Sequence, residues 1–285
     1  MSPLNAVVEV RPSPIAGRWY PGDPDQLARQ IDAYLAEVVL PPIEGQVLAI
    51  IAPHAGHRYS GRTAAYAFKT VVGNSYNLVA VLSPLHGYHP AALLTSAHQR
   101  YATPLGEIPI DRMAVDQLRG FLAEKGNIQL EPVAYDEEHS LEIELPFLQR
   151  ILPGLFNLLP VMARSHAWQT LQVLGTGLAE IARQTSTLLV ASSDLSHFYP
   201  ERTAELLDQE MLERIVSLDP ISVLAAESEG TGFACGAGAI AAVMAAALDL
   251  GANAAQILHH STSADETGDL SSVVGYGSVV ILKRD

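Results

Sequence analysis

Short continuous apolar runs alternate along this chain with amphipathic segments. Because both faces of the apolar runs are nonpolar, they predict buried strands at 47–52, 78–82, 155–162 and 187–191. Apolar residues at helical spacing predict helices at 62–71, 112–124, 141–151, 168–184 and 202–218. Two more strands are predicted at 257–260 and 273–282. This alternation predicts an α/β fold whose mixed, largely parallel central sheet is flanked by helices, in a single domain covering residues 1–285.

Two further helices are indicated near the C-terminal end. Asp219 and Pro220 are an N-cap and a first-turn proline for a short helix. The Ala-rich segment 237–250 predicts a buried helix, which is shorter than the ~20 residues that span a bilayer. Residues 1–14 lack an apolar stretch with basic flanks, so we expect no signal peptide and a cytoplasmic location.

Composition and charge narrow the possible partners. Apolar residues make up 48% of the 285 residues and charged residues 17%, which supports a large core and argues against extensive disorder. The formal net charge is −14 and no run of Lys or Arg interrupts it, so binding to nucleic acid or to an anionic membrane is not expected. The single cysteine fits a reducing compartment.

Histidines follow two of the predicted buried strands. His54 comes directly after the run 47–52, and His86 comes after the run 78–82. Because ligands of open α/β sheets bind at the carboxyl ends of parallel strands, we expect both imidazoles at one edge of the sheet. Taken alone, each histidine would more often be a turn residue.

The fourth of the predicted buried strands is followed by residues typical of acid–base chemistry. Asp194 and His197 come after the run 187–191, and the carboxylate could pair with the imidazole and orient it as a general base. Ser193 or Ser196 could then act as a hydrolase nucleophile, although no glycine-flanked nucleophile motif surrounds them. His139 lies in an acidic segment before a helix that Ser140 could cap, so both a structural and a functional role are open.

Cys235 stands in a glycine-rich segment just before the Ala-rich helix. The positive end of a helix dipole favours a thiolate, which is the form that binds metals. A small residue chosen for tight packing is the alternative. Should His54, His86 and Cys235 converge, two imidazoles and one thiolate would form a three-ligand site with an open position, suited to iron(II), copper or zinc.

Several short motifs of this chain resemble the Memo family, whose bacterial and archaeal members are called AmmeMemoRadiSam system protein B. They occur in family order from Gly17 to the C-terminal end and cover nearly the whole chain. The matching segments are Gly17-Arg18-Trp19-Tyr20, Ala52-Pro53-His54-Ala55-Gly56, Tyr59-Ser60-Gly61, Thr103-Pro104-Leu105-Gly106, Asp136-Glu137-Glu138-His139-Ser140-Leu141-Glu142, Ser192-Ser193-Asp194 with His197, and Cys235-Gly236.

The resemblance implies a fold related to the catalytic subunits of class III extradiol dioxygenases. It implies a metal pocket with ligands at His54, His86 and Cys235, holding iron or copper, or else zinc, and neighbouring functional positions at His139, Asp194 and His197. It also implies a radical-SAM partner protein and a third small protein. The small-molecule or peptide ligand is not specified.

The chain departs from the family pattern beside the second ligand. The family usually reads Gly-Pro-Ser-His-His there, whereas this chain has Ser83-Pro84-Leu85-His86-Gly87, so one imidazole is absent. His57 stands where the family commonly has Tyr and is expected to replace that imidazole in part. Three functions stay open: a dioxygenase-like metal oxidoreductase, a non-catalytic binding or adaptor protein, and a metallohydrolase.

Overall fold

A computed structural model describes residues 9–285 of the chain. Residues 1–8 lie outside the described part. They make up most of the segment 1–14, from which the absence of a signal peptide was predicted. The strands are β1 Val10–Arg11, β2 Gln46–Ala52, β3 Leu78–Ser83, β4 Leu93–Ser96, β5 Arg100–Thr103, β6 Gly106–Pro109, β7 Leu130–Val133, β8 Asn157–Ala163, β9 Thr187–Ser192, β10 His197–Tyr199, β11 Ala254–Thr262 and β12 Val273–Lys283. The helices are α1 Pro24–Glu37, α2 His57–Lys69, α3 Arg112–Gly126, α4 Leu145–Ile151, α5 Trp168–Gln184, α6 Glu201–Val216, α7 Pro220–Glu229, α8 Ala237–Asp249 and α9 Ala264–Thr267.

Nine of these strands form one mixed sheet. Its order is β10-β12-β2-β9-β3-β8-β4-β7, with β11 paired to β12. The central strands β2, β9, β3 and β8 are parallel to one another, and the antiparallel pairs lie toward the two sides. A mixed sheet with a parallel centre confirms the predicted fold class. The strands β1, β5 and β6 form a separate small sheet.

Helix α8 is apolar on all sides and lies against the centre of the sheet. Its residues from Ala237 to Ala247 are buried, and it contacts β2, β3 and β9. Helix α5 covers it closely, because a Cβ atom at Gly175 would come within 2.6 Å of the Ala245 side chain. An all-apolar helix is typical of a buried position, so the predicted core helix is confirmed.

Two predicted helices differ at their starts. Helix α2 begins at His57, before the predicted position 62. The predicted helix 141–151 is a 3₁₀ turn at Glu142–Glu144 followed by α4. Pro146 lies in the first turn of α4, where its missing N–H costs no helical hydrogen bond. Within residues 9–285, no helix combines the length and apolarity needed to cross a membrane.

Candidate metal centre

Three imidazoles meet at the carboxyl edge of the parallel strands. His54 follows β2 and His86 follows β3, while His139 comes from the loop after β7. One ring nitrogen from each lies within 4.8 Å of the other two. The rings of His86 and His139 are stacked with centroids 4.6 Å apart, and His54 meets both edge-on at 5.3 and 5.4 Å. The sequence predicted the meeting of His54 and His86, and His139 joins them.

His54 is held by the ends of two neighbouring parallel strands. Its backbone N–H donates to Oδ1 of Asp194 at 2.7 Å, and its Nδ1 is 2.9 Å from Oγ of Ser192. Burial lowers the pKa of His54 well below its usual value, and the nearby imidazoles of His139 and His86 lower it further. His54 is therefore a neutral imidazole at neutral pH.

The hydroxyl of Ser192 fixes which nitrogen of His54 carries hydrogen. Ser192 Oγ lies 2.6 Å from the Ser140 carbonyl, 2.8 Å from Glu144 Oε1 and 2.9 Å from His54 Nδ1. A hydroxyl has one hydrogen, and a carbonyl only accepts, so we assign that hydrogen to Ser140. Ser192 then accepts from His54 Nδ1–H, which leaves Nε2 of His54 with a free lone pair.

The same argument makes Glu144 a donor to Ser192. Glu144 is fully buried, and its carboxyl can donate only when it is protonated. Burial raises the pKa of Glu144 well above its usual value, and the nearby charge of Asp194 raises it further. The carboxyl group of Glu144, which is linked to His54 through Ser192, is therefore neutral.

The carboxylate of Glu138 organises the other two imidazoles. Its Oε2 accepts the backbone N–H of His86 at 2.6 Å, and its Oε1 accepts from Nδ1 of His86 at 2.9 Å. The same Oε1 accepts the backbone N–H groups of His139 and Ser140, each at 3.0 Å. Burial opposes its charge, yet the hydrogen bond and charge of His86 keep the pKa of Glu138 well below its usual range. The sequence had placed Glu138 only in the acidic segment and family motif around His139, without a role of its own.

His86 and His139 differ in their protonation. Burial alone would lower the pKa of His86, but the hydrogen bond and charge of Glu138 outweigh it and raise that pKa. For His139, burial is the largest effect and lowers the pKa to about 4, against the opposing charge of Glu138. The Trp19 ring covers His139 with the ring centroids 4.1 Å apart. His139 is therefore neutral at neutral pH.

Buried Arg11 anchors the segment that carries Glu138 and His139. Its guanidinium lies 2.7 Å from Oδ1 of Asp136 and 2.6 Å from Oε2 of Glu142. It also donates to the Glu138 carbonyl at 2.7 Å. The side chain of Arg11 is 1% exposed, so this arginine and its two carboxylates form a desolvated network. Nothing in the spacing of the sequence had linked Arg11 to the site.

Cys235 lies beside His54, just before α8. Its Sγ is 3.1 Å from Nε2 of His54, and its backbone N–H donates to the Asp194 carbonyl at 3.2 Å. Burial and the charge of Asp194 raise the pKa of Cys235 far above its usual value, so the predicted thiolate is wrong for the protein without a bound cation. Only a cation in contact with Sγ would offset that cost.

Asp194 and His197 do not form the predicted pair. Asp194 Oδ1 accepts the backbone N–H groups of His54 and Ala55 at 2.7 and 3.2 Å, and burial raises its pKa to about 7. His197 Nδ1 is 2.8 Å from the Leu195 carbonyl, to which it donates. Burial lowers the pKa of His197, so its Nε2 is a free acceptor at neutral pH.

The serines near Asp194 and His139 have structural contacts. The Ser193 hydroxyl donates to the Asp194 carbonyl at 2.8 Å, and the buried Ser196 hydroxyl has no hydrogen-bond partner within residues 9–285. Neither forms the serine–histidine pair that a serine nucleophile requires, so the predicted serine-nucleophile hydrolase is wrong, whereas the metallohydrolase alternative does not depend on these serines. Ser140 donates its hydroxyl to the Pro84 carbonyl rather than capping a helix.

His57 lies in the core and does not replace the imidazole missing beside His86. Its Nε2 is 3.2 Å from the Ile143 carbonyl, and its ring packs against Tyr20 and Phe147. Burial lowers the pKa of His57 to about 4. His139 supplies the imidazole beside His86 instead.

The donor set fits a transition metal. His54 and His86 each have Nδ1 engaged, by Ser192 and Glu138 respectively, so that Nε2 is the nitrogen left for an ion. A partner on the outer nitrogen is the usual arrangement for metal-binding histidines. Imidazoles with a nearby thiol suit iron, copper or zinc better than the oxygen-seeking ions calcium and magnesium.

Comparisons with known proteins identify a family and a similar fold. The model of a family described as Memo-like protein matches residues 11–280. A MEMO1 family protein of Nitrosopumilus maritimus is 32% identical over 95% of this chain and 98% of its own length. Another from Methanopyrus kandleri is 31% identical over 93% and 96%. The crystal structure of uncharacterized protein JW3007 from Escherichia coli K12 has a similar fold, with a TM-score of 0.57 and 13% identity over 83% of this chain and all of that one.

Proposed function

This chain belongs to the Memo family, and on that premise we propose that it is a metal-dependent redox protein with an iron or copper ion held by His54, His86 and Cys235. The observation that carries the proposal is the orientation of His54. Its Nδ1 hydrogen is committed to Ser192, while its Nε2 faces the Cys235 sulfur at 3.1 Å. His54 Nε2 and Cys235 Sγ come from residues far apart in the chain, and both would be ligands of an ion held here.

Binding of an ion would ease the electrostatic conflict at this edge of the sheet. His54 and His139 stay neutral at neutral pH, and the thiol of Cys235 can ionise only beside a cation. His86 must release its proton before its imidazole binds the ion. Iron or copper held here would supply one-electron chemistry toward oxygen or a reducible substrate.

The surrounding residues then supply proton acceptors and positioning. His139 is neutral and its Nδ1 faces Glu138 Oε1 at 3.3 Å, so Nε2 of His139 is the nitrogen that would accept a proton from a bound substrate. Nε2 of His197 is a second acceptor, because Nδ1 of that ring donates to the Leu195 carbonyl. Asp194 holds the backbone of His54 and Ala55 in place, and its pKa of about 7 lets it exchange a proton near neutral pH.

The test is the metal content of protein purified without oxygen or chelator. We expect near-stoichiometric iron or copper in the wild type, its loss in His86→Ala and Cys235→Ala, and its retention in the control His166→Ala, whose side chain is 51% exposed. A metal-free wild type that also refuses added iron, copper and zinc would contradict the proposal. The pocket would then be that of a non-catalytic binding or adaptor protein.

The position of His139 favours a second candidate function. Three imidazoles with mutually close nitrogens are the ligand set of zinc enzymes that activate water for hydrolysis. Two variants separate the candidates. In the redox proposal His139→Gln keeps the metal and Cys235→Ser loses it, whereas in the hydrolase the reverse holds and the retained ion is zinc.

A further inference from the structure

A cavity of about 550 Å³ lies on the far side of Trp19 from His139 and also includes Ala55, the residue after His54, in its wall. We call it the aromatic cavity, and its main lining side chains are Arg18, Trp19, Arg58, Tyr59, Phe198 and Tyr276. It shares walls with the metal centre, because the Trp19 ring covers His139 and Phe198 follows His197 directly. A ligand in this cavity would contact Trp19, whose ring packs on His139.

The lining provides aromatic surface that is still open to solvent. Phe198 is 74% exposed and Tyr59 is 41% exposed, whereas Trp19 and Tyr276 form the deeper wall. Phe198 also has a φ of +64°, a left-handed conformation that costs a non-glycine residue about 1–2 kcal/mol. Such strain is often retained at ligand-binding positions. A planar ring system covering these side chains would remove apolar area from water and gain ring–ring contacts.

The charge of the lining is positive, although the chain as a whole has a net charge of −14. Two arginines line the aromatic cavity, and no Asp or Glu does. Arg58 is paired with Glu266 at 2.8 Å, while Arg18 is exposed and has no carboxylate oxygen within 4.0 Å in residues 9–285. One guanidinium at the cavity is therefore uncompensated, and guanidinium groups bind carboxylates through paired hydrogen bonds.

An adjoining cavity makes the contrast clear. It measures about 530 Å³ and also has Arg58 and Tyr59 in its wall, together with the further rings of Tyr34 and Tyr66. A second arginine, Arg62, and three carboxylates line it as well, the carboxylates coming from Glu37, Asp265 and Glu266. The two cavities have similar size and aromatic content but opposite charge preference. Of these two cavities, only the aromatic cavity is lined by arginines without any carboxylate.

We propose that the aromatic cavity binds a small aromatic acid, with the ring against Trp19 and Phe198 and the carboxylate on Arg18. The further step of identifying this acid as the substrate of the metal centre rests on the proposed metal-dependent function. Binding of the acid itself requires no metal. A volume of about 550 Å³ suits one small organic molecule, since small-molecule sites span about 300–1,000 Å³.

The experiment follows the fluorescence of Trp19 in metal-free protein. The chain has two tryptophans, so Trp168→Phe leaves Trp19 as the reporter. The probes are phenylacetate, its neutral amide phenylacetamide and the cationic 2-phenylethylamine. We expect saturable quenching by phenylacetate, about tenfold or weaker binding of the amide, and no binding of the amine.

Three variants test the named contacts. Arg18→Ala should weaken phenylacetate binding by about tenfold or more, since one charge-assisted hydrogen-bond pair is lost. Phe198→Ala should weaken the acid and the amide by the same factor, because it removes ring contact without changing charge. Arg29→Ala, an exposed arginine of α1 outside the cavity lining, should leave the affinity unchanged.

Each remaining outcome decides against the proposal. Equal affinity for acid and amide, preference for the amine, or an Arg18→Ala variant that binds phenylacetate like the wild type would overturn the assignment. Absence of quenching by all three probes, in protein that still loads metal, would overturn the cavity proposal and leave the metal centre intact. Quenching as expected in a protein that refuses metal would instead remove the metal-dependent function and keep the binding site.

Discussion

The imidazole cluster has two halves that are built in different ways. The strand half is His54 with Ser192 and Glu144, at the ends of β2 and β9, which pair in register at Ala52 and Ser192. The loop half is His86 and His139 with Glu138, on connections that follow β3 and β7. His54 is 1% exposed, whereas the side chain of His86 is 39% exposed. Rigid backbone positions the first half, and one carboxylate positions the second.

The two halves also carry opposite electrostatics. Burial beside a neutral hydroxyl lowers the pKa of His54, while the Glu138 carboxylate raises that of His86. The imidazole of His54 is therefore neutral and able to bind a cation, whereas the imidazole of His86 takes up a proton more readily. Uptake of a metal ion near neutral pH should accordingly release protons from the loop half and from Cys235.

The largest expected effect comes from removing the anchor of the loop half. Arg11→Ala leaves the buried carboxylates of Asp136 and Glu142 without their partner, and we expect a loss of about 3–5 kcal/mol in the free energy of unfolding. The control Arg100→Ala breaks an exposed pair with Glu107 and should cost at most about 1 kcal/mol. Urea denaturation measures both, and equal losses would show that Arg11 anchors nothing.

A pH series tests whether the buried imidazole of His57 stays neutral in the folded protein. His57 is fully buried and its pKa falls from 6.5 to about 4 on folding. The unfolded chain therefore binds this proton first as the pH falls, so stability is present above pH 6.5 and is lost as the pH drops through about 4. This residue alone should account for about 3 kcal/mol.

The measurement compares the free energy of unfolding of wild type and His57→Gln across that pH range. The amide of glutamine keeps a donor for the Ile143 carbonyl and does not titrate, so the variant should lose stability less steeply in acid. Parallel curves would mean that other groups carry the acid sensitivity.

An intermediate effect is expected from neutralising the carboxylate of the loop half. Glu138→Gln loses the charge that orients His86, and it should weaken metal binding by about 10- to 100-fold. Glu137→Gln changes an exposed neighbour and should leave the affinity unaltered. Competition with a chromogenic chelator measures both affinities, and an unaffected Glu138→Gln would place the control of His86 elsewhere.

The smallest effect on stability is expected from changing Glu144, which is linked to His54 through Ser192. If Glu144 is protonated, as the single hydrogen of Ser192 requires, then Glu144→Gln replaces one neutral donor with another and should change stability by less than about 1 kcal/mol. Glu144→Ala, which leaves Ser192 and a cavity without a partner, should cost about 2 kcal/mol or more. A Gln variant as damaged as the Ala variant would indicate that Glu144 is charged.

The strand half could be predicted from sequence because its signals are local. Buried runs give β2, β3 and β9, and a histidine directly after a run stands at the carboxyl edge. The helix at 168–184 matches α5, and Asp219 caps α7 as expected, because both have local spacing or capping signals. Helix α1 was missed although Asp23 caps it and Leu27 and Ile31 are buried at helical spacing.

His86 and His139 were named from the sequence, but the contacts that hold the loop half could not be predicted, because they join distant segments. The Arg11–Glu142 pair and the contact of Glu138 with His86 depend on tertiary packing that no local period encodes. The short strands β4 to β7 have four residues each, too few to show alternation. Burial also reversed the thiolate expected at Cys235, because desolvation outweighs a helix terminus.

The central claim is that one ion joins the strand half, the loop half and Cys235. X-ray absorption of the zinc-loaded protein measures this directly, since zinc–sulfur and zinc–imidazole distances differ, at about 2.3 Å and about 2.0–2.1 Å. We predict one sulfur and at least two imidazole nitrogens in the wild type, with the sulfur lost in Cys235→Ser. A first shell of nitrogen and oxygen only, unchanged in Cys235→Ser, would contradict the account.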